Sequence, residues 1–177
     1  MSELVEGTET FPRLPTMEAS RSGELRTLNT GAKALHRSYR LRERTVSVTD
    51  AVPRMLVVDD SPGSREAMSA LLRLDGFEVR AVTSGIEAVE LLRGWTPHVF
   101  VLDIELNEHD GFAVASVLRG MPTTADAGII ATTGHSLDEL LVMGSLEHFD
   151  AVFVKGEDGG QLTDLIRSFL STEPGGE

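Results

Sequence analysis

Residues 99–112 read VFVLDIELNEHDGF, and this stretch decides the fold class. Val99–Asp103 is apolar up to its last residue, which is typical of a strand buried on both faces. A short loop follows, and a helical pattern starts at Gly111. A buried strand that ends in an acid and leads through a loop into a helix indicates an α/β unit.

The same alternation of apolar runs and helical patterns covers residues 53–171. The predicted strands are Met55–Asp59, Phe77–Val82, Val99–Asp103, Gly128–Thr132 and Ala151–Val154. The predicted helices are Pro62–Leu74, Gly85–Arg93, Gly111–Arg119, Leu137–His148 and Gly160–Leu170. Because the strands are apolar throughout, we predict a five-stranded parallel sheet covered by helices on both faces. The fold class is therefore α/β, doubly wound and three-layered.

Composition and charge narrow the function classes. The chain has 177 residues, 41% of them hydrophobic, and no cysteine, which excludes disulfides and thiolate metal sites. No apolar run approaches the roughly 18 residues of a membrane-spanning helix, and residues 1–9 contain no basic residue, unlike a secretory signal. We therefore expect no transmembrane segment and a cytoplasmic location. Residues 53–177 hold eight basic and 21 acidic residues, so we expect no direct DNA binding by this part.

Residues 1–52 lack a sustained apolar period and are rich in Ser, Thr, Glu and Arg. We predict that they are mostly disordered or partly helical, ahead of a domain at 53–171 and a tail at 172–177. One stretch, residues 33–44, interleaves basic with apolar side chains and permits a short basic helix that docks on an acidic partner, a membrane or nucleic acid. The alternative is a solvated tail.

Polar residues end four of the predicted strands. Asp59 and Asp60 end the first strand, Asp103 the third, Thr133 the fourth and Lys155 the fifth. Taken singly, each has an ordinary structural explanation, such as a helix cap, a structural hydroxyl or a surface lysine. In a parallel sheet the carboxyl ends of the strands share one edge, where ligands bind, so we expect these five residues to lie together.

Three neighbouring carboxylates repel each other by roughly 4 kcal/mol per pair at about 4 Å. Such a site either raises a pKa or binds a cation, and carboxylate oxygens suit Mg²⁺. A hydroxyl and an ammonium can contact the oxygens of a phosphoryl group, and a carboxylate can accept that group as an aspartyl-phosphate. The pattern therefore predicts a Mg²⁺-dependent phosphoryl-transfer site.

Four motifs resemble the receiver domain of bacterial two-component response regulators. They are MLVVDDS at 55–61, VLDIELNEHDGF at 101–112, IIATTGHS at 129–136 and FDAVFVKG at 149–156. The resemblance covers roughly residues 53–171. It implies a flavodoxin-like sheet with strand order 2-1-3-4-5. Because no output domain is predicted after residue 171, we expect a stand-alone receiver with an N-terminal extension.

The resemblance also implies residue roles. Asp103 would accept phosphate from a histidine kinase or phosphotransfer protein, with Thr133 and Lys155 contacting the phosphoryl group. Asp60, Asp103 and the Glu105 backbone carbonyl would bind Mg²⁺ directly, and Asp59 through water. Phosphorylation would then change a face made of the fourth helix, fifth strand and fifth helix, through which a downstream protein binds. Homodimerisation is also compatible with the family.

The sequence departs from the family pattern at four places. Asn107 and Gly156 stand where many members have proline, which predicts more mobile loops. Val152 stands at the position of the family's switch aromatic, while the neighbouring Phe153 would face the opposite side of the strand and belong to the core. Two variable positions that tune phosphoryl lifetime in the family hold Glu105 and His135.

Other function classes fit less well. The alternative to a phosphorylated switch is a pseudo-receiver, an interaction module with the same fold that is not phosphorylated. A flavodoxin-like cofactor protein requires a phosphate-binding loop after the first strand, where Asp59 and Asp60 would repel the phosphate. A haloacid-dehalogenase-type phosphatase requires a D-x-D pattern that is absent there. We expect no enzyme activity beyond the protein's own phosphorylation and dephosphorylation.

Overall fold

The structure, a computed structural model, describes residues 38–107 and 110–172. The predictions for residues 1–37 and 173–177 lie outside these ranges. The strands are β1 (Ser38–Arg40), β2 (Val46–Val48), β3 (Arg54–Val58), β4 (Glu78–Val82), β5 (Val99–Asp103), β6 (Gly128–Thr133), β7 (Ala151–Val154) and β8 (Leu170–Thr172). The helices are α1 (Pro62–Leu74), α2 (Gly85–Leu91), α3 (Gly111–Gly120), α4 (Leu137–Met143) and α5 (Gly159–Arg167). Within the described ranges, every helix is too short or too polar to cross a membrane.

The main sheet has the order β1-β7-β6-β5-β3-β4. Its parallel part, from β4 to β7, follows the predicted order 2-1-3-4-5, so the fold prediction is confirmed. The sheet has six strands instead of the predicted five, because β1 pairs antiparallel with β7 at the outer edge.

Two apolar clusters fill the space between this sheet and the helices. Alternate residues of β3, β5 and β6 face opposite sides, as expected for strands buried on both faces. Leu56, Phe100 and Ile129 pack on the side of α2, α3 and α4, whereas Val57 and Ile130 pack on the side of α1 and α5. The three-layer arrangement is therefore as predicted, and both sheet faces are covered up to the edge where β3, β5 and β6 end.

Three predicted helices end earlier in the structure, and the second of the five ends at Leu91 instead of Arg93. The fourth ends at Met143 instead of His148, because Gly144 adopts an extended backbone and passes close to the Phe112 ring. A Cβ at position 144 would lie about 3 Å from that ring, so the ring would have to shift by a few tenths of an ångström to make room for it. The fifth ends at Arg167, and Leu170–Thr172 form β8 instead of a helix end and tail.

Part of the segment before the predicted domain boundary at residue 53 is ordered in the structure. Residues 38–48, which we call the strap, form β1 and β2 and lie against the domain instead of forming a disordered or helical extension. β1 pairs with β7, and β2 pairs in parallel with β8. Val46 and Val48 are buried, and this tertiary burial outweighs the weak local pattern of a segment that is mostly polar.

Candidate functional site

The carboxyl ends of the parallel strands gather the residues that the sequence predicted. Asp59 follows β3, Asp103 ends β5, Thr133 ends β6 and Lys155 follows β7. Asp59 and Thr133 are fully buried, and Asp103 is 3% exposed. One ligand oxygen from each of Asp59, Asp60 and Asp103 lies within 4.8 Å of the others. The predicted proximity of these side chains is therefore observed, although their chemical roles stay predictions.

Lys155 is the cation at the centre of this cluster. Its Nζ donates hydrogen bonds to Asp103 Oδ2 at 2.7 Å and to Asp59 Oδ2 at 3.1 Å. Burial alone would lower the pKa of Lys155, but its contacts with Asp103 and Asp59 raise that pKa above the ordinary value. Burial raises the pKa of Asp103, and Lys155 offsets this rise only in part, while Asp59 adds to it. The positive charge of Lys155 therefore balances only part of the negative charge of the three carboxylates.

Asp59 is held by α1 as well as by Lys155. Its Oδ1 accepts from the Ser61 backbone N–H at 2.9 Å, and its Oδ2 accepts from Ser64 Oγ at 2.6 Å. Sequence reasoning missed Ser64, although its place in the first turn after an acidic pair is a usable signal. With both oxygens engaged by the protein, Asp59 fits the expected indirect contact with a metal better than a direct one.

The loop after β5 is tied to the cluster through backbone N–H groups. Glu105 N donates to Asp103 Oδ1 at 3.2 Å, and Asn107 N donates to Asp60 Oδ2 at 2.8 Å. A proline at position 107 has no N–H and cannot make the second bond. The departure from the family pattern therefore adds a contact at this loop. Gly111 starts α3 close to β5, where a side chain would overlap the backbone of Asp103.

The donor set fits a magnesium ion. Asp60 and Asp103 supply carboxylate oxygens near the mouth of the site, and their summed charge exceeds that of Lys155. The Glu105 backbone N–H donates to the Asp103 carboxylate, so residue 105 lies beside the cluster, while the role of its carbonyl as a ligand stays a prediction. Hard oxygen ligands at this density are what Mg²⁺ binds in proteins.

The two threonines that end β6 face opposite sides of the sheet. Thr133 Oγ1 accepts from the His135 backbone N–H at 3.0 Å, and Thr133 O accepts from Lys155 N at 2.7 Å. Thr132 Oγ1 is buried, and no partner for it occurs among the described residues. Thr133, the predicted phosphoryl contact, is thus linked to both the β7 end and the start of α4.

Glu105 and His135 meet above the site. His135 Nε2 lies 3.1 Å from Glu105 Oε1, and both side chains are substantially exposed. His135 Nδ1 also lies 3.7 Å from Glu139 in α4. The two positions that the sequence marked as tuning residues therefore form one contact that joins the loop after β5 to the loop after β6.

The switch positions on β7 differ from the usual pattern as the sequence indicated. Val152 is fully buried with the cluster on the α4 side, while Phe153 is buried on the α1–α5 side, where we expected core packing. Tyr39 of β1 is the Cα partner of Val152 and packs on the same cluster. No local pattern in the sequence indicated this aromatic neighbour. Gly156 has a φ of 92°, a conformation that favours glycine and that proline cannot adopt.

Comparisons with known proteins agree with this geometry. Residues 55–167 match the family model described as the response regulator receiver domain. The transcriptional regulatory protein PrrA of Mycobacterium tuberculosis is 31% identical over 122 residues, covering 68% of this chain and 52% of PrrA. The DNA-binding dual master transcriptional regulator RpaA of Synechocystis is 28% identical over 119 residues, covering 67% of this chain and 49% of RpaA. The chain thus spans about half the length of these two relatives.

Comparison with solved structures also indicates a receiver domain. The response regulator protein TrrA of Thermotoga maritima, solved in complex with Mg²⁺–BeF, aligns with a TM-score of 0.61 and 29% identity, covering 67% of this chain and all of TrrA. The signal receiver domain of a histidine kinase from Syntrophus aciditrophicus aligns with a TM-score of 0.61 and 28% identity, covering 67% of this chain and 89% of that chain. By motif, fold and site, the chain belongs to the response regulator receiver domain family.

Proposed function

We propose that this protein is a phosphorylation-dependent signalling switch whose phosphoacceptor is Asp103. The observation that carries the proposal is the contact of Asp103 with Lys155, beside Asp59 and Asp60, at the open edge of the sheet. Its relatives and its receiver fold support a role in phosphorylation-dependent signalling. They give no support to the alternative, a receiver that is not phosphorylated.

The proposed step transfers a phosphoryl group from a phosphohistidine. A carboxylate oxygen of Asp103 forms a bond to phosphorus while the bond from phosphorus to the imidazole nitrogen breaks, and the donor histidine leaves. Lys155 already holds an oxygen of Asp103 and can move to an oxygen of the incoming group. Thr133 supplies a hydroxyl on the neighbouring strand for a second phosphoryl oxygen.

Magnesium would be held by Asp60, Asp103 and the Glu105 carbonyl, with Asp59 behind them. When bound, the ion neutralises charge on the phosphoryl oxygens. The protein's part is to fix Asp60 through Asn107 N, and Asp103 through Glu105 N and Lys155. These contacts place the acceptor before the donor arrives, which lowers the entropic cost of transfer.

The partners remain part of the proposal. A histidine kinase or a phosphotransfer protein donates the phosphoryl group, and a downstream protein binds the face of α4, β7 and α5. A homodimer through the same face, a cytoplasmic location and the absence of direct DNA binding stay predictions from the sequence. We propose no catalysis beyond the protein's own phosphorylation and dephosphorylation.

The deciding experiment is incubation with acetyl phosphate and Mg²⁺ followed by intact mass measurement. We expect the mass to rise by one phosphoryl group in the wild-type chain and to stay unchanged in Asp103→Asn. Asp126→Asn is the matched control, because Asp126 is exposed and lies between α3 and β6, away from the carboxyl ends of the strands. No mass gain in wild type, together with no binding of Mg²⁺–beryllofluoride, would overturn the proposed function in favour of a pseudo-receiver.

A further inference from the structure

The strap lies on the face through which the proposed switch would signal. β1 pairs along β7, with Ser38 opposite Phe153, Tyr39 opposite Val152 and Arg40 opposite Ala151. β7 lies between α4 and α5 in the predicted output face, so its outer edge is already occupied by the chain's own N-terminal strand. An occupied strand edge cannot pair with another chain.

We propose that β1 is an intramolecular cover of the output face and that phosphorylation of Asp103 weakens its docking. This inference rests on the proposed function, and it assigns a regulatory role to Ser38 and Tyr39, the part of β1 before Arg40. The end of β7 and its neighbours then have two states. The docked cover favours one of them, and a phosphoryl group on Asp103 favours the other.

The strap is held unequally along its length, which separates a firm anchor from a weaker cover. The anchor begins at Arg40, whose guanidinium donates to three backbone carbonyls and lies 4.6 Å above the Phe169 ring. Arg44 Nε lies 2.7 Å from the buried Asp150, and Val46 and Val48 enter the core.

Within residues 38–107 and 110–172, fewer side-chain contacts hold the residues before Arg40, although Ser38 is itself buried. Ser38 Oγ donates to Gln161 Oε1 at 3.4 Å, and Tyr39 is only partly buried against the apolar cluster below α4. Ser38 and Tyr39 otherwise depend on their pairing with β7. A segment this short gains little independent stability, so these two residues can separate from β7 while the anchor from Arg40 onwards stays in place.

The cover is directly connected to the phosphorylation site through β7. Lys155 follows the last residue of β7, and its backbone N–H donates to Thr133 O while its ammonium holds Asp103. A phosphoryl group on Asp103 takes over the position at which Lys155 now binds, so Lys155 changes its partner. That change acts on the β6 and β7 ends, two to three residues from the segment that β1 covers.

The proposal also fixes the sign of the coupling. β1 is paired with β7 while Lys155 binds Asp103, and we propose that the docked cover favours this unphosphorylated arrangement over the phosphorylated one. Coupling between two ligands is reciprocal, so whatever favours the cover disfavours phosphorylation by the same factor. We expect this factor to be about fivefold or more, as is typical of such couplings.

The test locks the cover in the full-length chain with a disulfide. The chain has no cysteine, so Tyr39→Cys combined with Val152→Cys introduces one defined pair at facing positions. Facing Cα atoms in antiparallel strands lie about 4.5–5.5 Å apart, within the range of a disulfide. We expect the oxidised protein to bind Mg²⁺–beryllofluoride at least about fivefold more weakly than the same protein after reduction.

A second measurement needs no variant. Amide hydrogen exchange of wild type, followed residue by residue by NMR, compares residues 38 and 39 with residues 46–48. On addition of Mg²⁺–beryllofluoride we expect faster exchange in the first set by about fivefold or more and unchanged exchange in the second.

The outcomes separate the two proposals. If wild type takes phosphate from acetyl phosphate but the disulfide leaves beryllofluoride affinity unchanged, the cover is a static part of the fold and the coupling is overturned. Equal exchange at residues 38 and 39 with and without beryllofluoride overturns it too, even where the disulfide does not form. If wild type neither gains a phosphoryl group nor binds beryllofluoride, the proposed function itself fails.

Discussion

Two ionic clusters lie at opposite ends of the parallel strands, and they are built in opposite ways. At the carboxyl ends, three carboxylates face one ammonium, Lys155. At the amino end of β7, one carboxylate, Asp150, faces two guanidinium groups. The first cluster therefore carries surplus negative charge at an open edge, and the second carries surplus positive charge.

The second cluster is satisfied by the protein itself. Asp150 accepts from Arg44 and Arg119 at 2.7 Å each and from Ile129 N at 2.9 Å. Arg119 also donates to the carbonyls of Ala125, Ala127 and His148. One buried group is the exception, because Arg119 Nε has no partner among the described residues. The comparison shows that net charge and hydrogen bonding distinguish a ligand site from a structural cluster, even where the residue types are similar. We call the cluster around Asp150 the structural node.

The largest expected effect comes from breaking the structural node. Asp150→Asn leaves two partly buried guanidinium groups without their carboxylate, and we expect the free energy of unfolding to fall by about 3–5 kcal/mol. Urea unfolding measures this change. Because the node is distant from Asp103, the folded fraction should still gain a phosphoryl group from acetyl phosphate.

The control for this variant is Asp126→Asn, an exposed position where we expect a change within about 0.5 kcal/mol. A loss below about 1 kcal/mol in Asp150→Asn would contradict the structural role. Such a result would mean that the buried guanidinium groups find other partners or water.

A smaller effect is expected at the ligand site, from adding magnesium. An ion that binds only the folded chain stabilises it, by about 1.4 kcal/mol at ten times its dissociation constant. We expect this gain in wild type and in Asp126→Asn, measured by thermal or urea unfolding with and without Mg²⁺. Asp60→Asn should lose most of it, because one carboxylate of the cluster is gone. An equal gain in stability in Asp60→Asn would show that the ion binds at another place.

These two clusters also show how far the sequence can be interpreted. Asp59, Asp103 and Lys155 end consecutive apolar strands, and parallel pairing places strand ends together, so their meeting was predictable. The node was not predictable, because Arg44 and Arg119 reach Asp150 from 106 and 31 residues away along the chain. No periodicity records such a distant pairing. The same holds for Tyr39 beside Val152.

The strap illustrates the same limit for the fold. Its central residues are mostly polar or basic, so composition favoured a disordered or helical extension. The strap is ordered because Arg40 donates to the Ser168 carbonyl at the end of α5 and because Val46 and Val48 complete a core formed by distant elements. Tertiary burial here outweighs local pattern.

A pH-dependent effect should mark the ligand site. Because burial raises the pKa of Asp103, the folded chain holds this proton more tightly than the unfolded chain. Without Mg²⁺, the ionised carboxylate therefore lowers stability as pH rises above 3.8 and through the folded pKa. Asp103→Asn cannot ionise there, so its stability relative to wild type should increase over that range and then level off. Urea unfolding across pH tests this, and a constant difference would contradict it.

The smallest expected effect belongs to His98, at the amino-terminal end of the sheet. Its Nδ1 accepts from Arg54 N at 2.9 Å, which fixes a neutral ring whose Nε2 lies 3.2 Å from Asp50. Burial and the Arg54 charge lower the pKa of His98, and they outweigh the opposing effect of Asp50 and Glu78.

The sign of the His98 effect is opposite to that of Asp103. Below pH 6.5 the unfolded chain binds a proton that the folded chain resists, so stability falls as pH decreases towards the folded pKa. In His98→Asn, which retains an acceptor for Arg54 N, we expect a shallower decline between pH 7 and 5, measured by urea unfolding. Mg²⁺ should leave this difference between wild type and variant unchanged, because the ion binds at the other end of the strands. Equal slopes in the two proteins would show that His98 titrates alike in the folded and unfolded chains.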